Sequence, residues 1–146
     1  QFERYTYTGK GPMSATASNY LQAGASAGVC IMPLMFFGNF PLVDFFNAVT
    51  GWDLDISDVL TTGARIQTLR QCFNIREGIQ PSDIKLPERM IGRPPQEDGP
   101  VVGVTIDVDS LAREYRHAMG WEPQSGRPAE TTLEKLGLTG LVAAQR

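Results

Sequence analysis

The sequence predicts a mainly α fold, an irregular helical domain with long connections, and three observations predict it. Apolar residues recur at three-and-four spacing through the middle of the chain. Glycines stand where the helical runs should stop, at Gly78, Gly120 and Gly137. Only one short run, residues 101–107 (VVGVTID), reads as an extended strand. With 146 residues, 42% of them apolar, there is material for one hydrophobic core and little for two. The prediction is therefore a single helical domain over residues 1–146. Because the chain opens Gln1-Phe2-Glu3-Arg4 rather than with Met, it is expected to be a processed chain or a piece of a longer polypeptide.

Taken in order, residues 13–27 are dominated by Ala, Ser, Thr and Gly around Tyr20 and Leu21, which suits a helix with a thin, close-packing face. Residues 29–46 (VCIMPLMFFGNFPLVDFF) are far more apolar, and no charged side chain occurs between Lys10 and Asp44. The apolar run nears the roughly 20 residues a membrane helix needs. Pro33, Gly38, Asn39, Pro41 and Asp44 interrupt it, so the prediction is a buried, soluble segment. It should hold a helix ending near Phe37, a turn, and a second helix over residues 41–49 with Pro41 in its first turn.

Residues 52–89 form the stretch around which the chain is expected to be organised. Asp55, Ser57 and Asp58 supply acceptors and negative charge for a helix start. Val59, Leu60, Ile66, Leu69 and Phe73, with small Gly63 and Ala64, make one apolar stripe. Gly78 ends the helix, and Pro81 and Pro87 keep the next residues extended. Residues 80–103 are rich in Pro and Gly without periodicity and should wrap a surface. Asp109 and Ser110 open a helix through Tyr115, and a last helix lies around residues 131–136.

A net charge of −3 and a pI near 5.1 argue against nucleic acid and anionic membranes as partners. Two cysteines, Cys30 and Cys72, without CxxC spacing, read as thiols of a reduced cytoplasmic protein, although one disulfide stays open. They are too few for a cubane iron–sulfur cluster, which takes about four. Cys30 follows Ala25, Ser26, Ala27, Gly28 and Val29, side chains small enough for main chain to approach a flat group. Its plainer reading is a buried small hydrophobe. Cys72 is expected to be a packed thiol and His117 a surface residue. Trp52 and Trp121, each after a glycine, should anchor helix exits by burying the indole. Neighbouring Arg76 and Glu77 should point apart. No GxGxxG, P-loop, HExxH or GxSxG pattern occurs.

An ordered set of short motifs runs through the chain. Thr50-Gly51-Trp52-Asp53 comes first, followed by Gly63-Ala64-Arg65-Ile66 with Leu69-Arg70, and then by Phe73-Asn74-Ile75-Arg76-Glu77-Gly78 with Leu86-Pro87-Glu88-Arg89. Glu114-Tyr115, Gly120-Trp121 and Leu133-Glu134-Lys135-Leu136-Gly137-Leu138 complete it. Together they resemble the C-terminal all-α domain of the aldehyde:ferredoxin oxidoreductase family of tungsten-pterin enzymes. The resemblance implies a C-terminal part of a multidomain enzyme that oxidises a small aldehyde to a carboxylic acid. Electrons would leave through a [4Fe-4S] cluster to ferredoxin or a similar carrier. In that family a D-x-x-G-L-C segment contacts the pterin and supplies the last cluster cysteine. Gly28, Val29 and Cys30 match its last three positions, so all three are implied cofactor-binding residues and Cys30 the metal ligand. Three further cysteines would come from upstream.

Ala25 falls where the family has the aspartate, a departure that removes a carboxylate acceptor for pterin nitrogens. Ala64 likewise replaces a frequent glutamate, removing a partner for a neighbouring arginine. The resemblance leaves a homodimer open, and implies that the fragment alone binds no cofactor and is inactive. Arg65, Arg70, Arg76, Glu77, Glu88 and Arg89 are read as structural ion pairs pinning the wrapping segment. Two other classes stay in view. One is a non-catalytic helical assembly domain. The other is a thiol enzyme with Cys30 as nucleophile, against which stands the absence of a basic neighbour in sequence.

Overall fold

The computed structural model describes residues 6–140, and these are mainly helical. In chain order the helices are α1 (Lys10–Ser26), α2 (Ile31–Phe36), α3 (Leu42–Thr50), α4 (Ile56–Arg76), α5 (Val108–Ala118) and α6 (Glu130–Lys135). Two 3₁₀ turns, Pro81–Asp83 and Glu88–Ile91, punctuate the wrapping segment between α4 and α5. The expected strand at 101–107 does not form. Gly103 takes a left-handed φ of 69°, which breaks an extended path, and among the described residues this region makes a single isolated bridge, Gln96 to Val102.

The centre of the fold is α1, not the longer α4 that the sequence singles out. α1 packs against α4, α5 and α2. It does so through very small residues: Gly11, Ala15, Ala23 and Gly24 are its buried positions. This is the thin face expected of an Ala/Gly/Ser-rich helix, and it lets backbones approach closely. At Gly63 of α4, an added Cβ would collide with the carbonyl oxygen of Asn19 on α1. At Gly11, it would collide with the main chain of Glu114 on α5, and at Gly24 with the Leu34 side chain of α2. The three helices around α1 are thus each admitted by a missing methyl group.

Two apolar clusters lie along α1. Toward its C-terminal end, Ala23, Leu34, Leu42 and Val59 are buried, with Tyr20, Val29, Phe40 and Phe46 packed on them. Each fully buried aliphatic side chain contributes roughly 1.5–3 kcal/mol relative to exposure. Toward the N-terminal end, Ala15, Met119 and Trp121 are buried against Tyr115. The Tyr115 and Trp121 rings meet edge to face at 6.0 Å. The Trp121 indole Nε1 donates to Oγ1 of Thr68, the one fully buried polar residue described, at 3.3 Å. Trp121 therefore anchors the exit of α5 as expected.

Local signals at the helix ends also hold. Asp55 caps α4 by accepting from the Asp58 amide, while Asp58 accepts from the Asp55 amide, both at 2.9 Å. Asp107, not Asp109, caps α5, accepting from the Ser110 amide at 3.0 Å. Those hydrogen bonds from Ser110 hold the Asp107 carboxyl below its ordinary value. Gly78, Gly120 and Gly137 all sit at positive φ just beyond their helices.

Other expectations fail for identifiable reasons. Trp52 is 64% exposed, so it buries no indole. Of the expected α4 stripe, Val59 and Gly63 are buried, but Leu69 and Phe73 are exposed, and Thr68, off the stripe, turns inward at the close crossing. Arg76 and Glu77 do pair, at 2.9 Å; Glu77 is the residue just past the helix, so the angular separation of helical neighbours does not bind it. Among the described residues this is the pair the six motif charges form, and Arg70 instead donates to Gln22 of α1. At about 0–1 kcal/mol for an exposed pair, it pins nothing.

The crossing predicts a specific sensitivity. Gly63→Ala should cost about 1–3 kcal/mol or more, since backbone rather than a flexible side chain must yield, whereas Ala64→Gly should cost about 1 kcal/mol, the ordinary glycine penalty in a helix. Urea denaturation of the two variants checks the ordering.

Candidate functional site

The site is built where α1 stops. The end of α1 is released by Gly28, at a φ of 84°, with Val29 N–H bonded back to the Gly24 carbonyl at 3.0 Å. An added Cβ at Gly28 would meet no atom within 4 Å, so this turn faces open space. Cys30 comes next in extended conformation and stands at the N-cap of α2, exposed. Ala25, Ser26 and Ala27 are exposed as well, and Val29 is half-buried against the adjacent core. The buried hydrophobe is therefore not what Cys30 is. Its thiol stands on a rim of small side chains with bare main chain beside it.

Beyond the rim, α2 and α3 expose many large apolar side chains. This corrects the expectation of a buried segment, since only Leu34 and Leu42 in these helices are buried. Each short helix gives one buried residue to the core, Phe40, Val43 and Phe46 pack partly against it, and much of the remaining apolar run faces outward. Met32, Met35, Phe36, Phe37, Phe45 and Val49 are all exposed, Phe36 at 70% and Val49 at 86%. Trp52 and Ile56, which follow α3 in the chain, are exposed as well. So many large exposed apolar side chains within residues 31–56 point to an interaction face rather than ordinary scatter. The charge-free run is its signal in the sequence, but composition alone does not say which side of an apolar helix is covered.

The structure brings Gly28, Val29 and Cys30 together at one turn and leaves Cys72 and His117 elsewhere. Cys72 lies within α4, partly buried, and burial pushes its thiol up from the ordinary value. Both cysteines are free thiols. His117 is exposed near the end of α5. Among the described residues, no group of three or more His, Cys, Asp or Glu converges to hold a metal ion. Cys30 is thus in no metal-holding group formed by the described residues alone. The Ala25 side chain, exposed on the same rim, carries no hydrogen-bond acceptor. No described helix is long and apolar enough to cross a membrane.

Comparison with known proteins gives a consistent picture. The family described as "Aldehyde ferredoxin oxidoreductase, domains 2 & 3" matches residues 1–138. Tungsten-containing aldehyde ferredoxin oxidoreductases of Pyrococcus furiosus and Pyrococcus horikoshii are each 33% identical over 114 residues. That of Thermococcus kodakarensis is 32% identical over the same length. In each case the match covers 77% of this chain and 18% of the relative, so the chain spans under a fifth of the proteins it resembles.

The two thiols should separate cleanly by reactivity. A neutral disulfide reagent should modify Cys30 at least about tenfold faster than Cys72, which is both shielded and less ionised. Mass spectrometry after brief labelling checks it; equal labelling would show that Cys30 is covered.

Proposed function

The chain belongs to the aldehyde ferredoxin oxidoreductase family, and from that premise we propose that it is the C-terminal helical domain of a cytoplasmic enzyme oxidising aldehydes to carboxylic acids. In this reading residues 1–146 form one domain, docked on upstream domains of the same polypeptide. The domain supplies Cys30 as the fourth thiolate of a [4Fe-4S] cluster whose other three cysteines lie upstream. When bound, a tungsten-bis-pterin centre would supply two-electron chemistry and a [4Fe-4S] cluster, held in part by Cys30, one-electron chemistry suited to ferredoxin or a similar carrier.

One observation carries the reading: an exposed thiol, on the family's Gly-Leu-Cys pattern as Gly28-Val29-Cys30, at the edge of an uncovered apolar face. An exposed cysteine at the start of a helix whose far end exposes Phe36 and Phe37 is a poor surface for a solvated domain and a good one for a cofactor-bearing interface. The residues of this chain have plain tasks there. Gly28 keeps side-chain bulk away from the turn, Val29 ties the turn to the core, and Cys30 holds a metal through Sγ. The apolar helices exclude water, which lowers the local dielectric around a cluster. A homodimer is compatible with this arrangement.

Ala25 does not fit the family's pterin contact, so no pterin hydrogen bond is assigned to it. That one departure favours a second reading, a helical assembly domain that keeps the fold without the cofactor. Metal analysis of the full-length protein separates the two. The enzyme reading predicts tungsten and about four irons per cluster, with the Cys30→Ala protein losing the cluster's iron and its visible thiolate-to-iron absorption. A soluble, folded full-length protein free of both metals would support the assembly domain instead.

A further inference from the structure

Two tryptophans follow glycines at helix exits, and the fold uses one of them. Trp121 is buried, with its ring edge-on to Tyr115 and its indole N–H on Thr68 Oγ1. Trp52 is 64% exposed, and neither its ring nor its indole N–H meets a described residue in a stacking contact or hydrogen bond. A large ring left in water forgoes the burial that makes tryptophan valuable, and this domain draws nothing from it.

The loop that carries Trp52 is held at both ends. Gly51, at a φ of 73°, closes α3 with its N–H on the Asn47 carbonyl at 2.8 Å. Thr50 Oγ1 donates to the Phe46 carbonyl at 2.7 Å and accepts from the Trp52 N–H at 3.2 Å. The Asn47 side chain bridges the loop, accepting from the Leu54 N–H and donating to the Leu54 carbonyl, both at 2.9 Å. Asp55 begins the α4 capping box one residue later. A backbone fixed in advance removes part of the ordering cost of binding through the side chain it presents. The charge around it is one-sided: residues 11–64 hold Asp44, Asp53, Asp55 and Asp58 and no Lys, Arg or His. Asp55 and Asp58 are engaged with each other's amides, whereas exposed Asp53 makes no hydrogen bond or ion pair with a described residue.

We propose that Trp52 is the anchor by which this domain docks on the upstream part of its polypeptide, its ring filling an apolar pocket there beside a Lys or Arg that faces Asp53. This rests on the reading of the chain as the C-terminal domain of a longer protein. The relatives it matches, of which it covers 18%, hold the chain length for such a pocket. Tryptophan is enriched at the few interface positions that carry most of the binding energy, and valine is under-represented there. Val49, though more exposed at 86%, therefore contributes little to docking. The cation opposite Asp53 sets orientation more than affinity.

Amide hydrogen exchange of the full-length protein, read over residues 31–48, tests it. Trp52→Ala should speed exchange there at least about tenfold, Trp52→Phe less, and Val49→Ala by under about threefold. Asp53→Lys should speed it as well, by setting like charge against the pocket's cation. Residues 10–26 and 56–76 should exchange as before in every variant, since neither core cluster includes Trp52. The proposal is overturned by unchanged exchange in Trp52→Ala, by a rise no greater than that of Val49→Ala, by no response to Asp53→Lys, or by an equal rise over residues 10–26. Protection of residues 31–48 that grows with protein concentration would also overturn it, by placing a second copy on the loop. Metal content of the same samples keeps the two readings apart. A protein with tungsten and iron that ignores Trp52→Ala overturns the anchor alone. One without either metal that still responds to Trp52→Ala supports the anchor and removes the redox reading.

Discussion

The structure depends on how closely α1 is approached. Gly63 sets its backbone against the Asn19 carbonyl, Gly11 sets the other end of α1 against Glu114, and Gly24 receives Leu34. Close backbone approach maximises dispersion contact per residue and compensates for a helix that brings almost no large side chain to the core. It also fixes where everything else lies. With α4 and α5 locked on opposite stretches of α1, the strap between them must run across the α1 N-terminus. The short helices α2 and α3 are left to close the other end.

That arrangement separates the molecule into two ends with different chemistry. At the α1 C-terminus the chain carries no charged side chain before Asp44, exposes large apolar side chains, and presents the Cys30 thiol. At the N-terminus the strap encloses a cleft whose lining includes Tyr7, Arg89 and Ile106. Membership of the aldehyde ferredoxin oxidoreductase family gives the first end its meaning. A face with Phe36 and Val49 largely in solvent is stable in water only at a cost that burial against another domain removes. The matched relatives are several times longer than this chain, so they hold the mass for such a domain.

Helix boundaries are the most legible feature of the sequence, because they rest on local chemistry. The Asp55 cap, the stops at Gly78, Gly120 and Gly137, and the thin Ala/Gly face of α1 can be read residue by residue. Which helix is central cannot be read so directly. A long amphipathic stripe such as that of α4 is conspicuous in sequence, but crossing geometry is decided by a single missing Cβ, so Thr68 goes inside and Phe73 outside. For the candidate site, the Gly28-Val29-Cys30 turn is legible through family motifs. The exposure of the apolar helices is not, since hydrophobicity states that a face is to be covered and not by what. The cleft at Arg89 is invisible in sequence because its walls come from residues 6–10, 89–106 and 111, which only the folded strap unites.

The central claim is that the thiol-rimmed apolar face is an internal surface of a larger redox protein. Hydroxyl-radical footprinting of residues 30–56 in the 146-residue chain and in the full-length protein tests it most directly, with Met32, Met35, Phe36 and Trp52 as reporters. The account predicts strong labelling of these side chains in the isolated chain and at least about tenfold protection in the longer protein, as expected for fully desolvated interface residues. Equal labelling in both would contradict it, leaving an apolar face that no other part of the polypeptide covers.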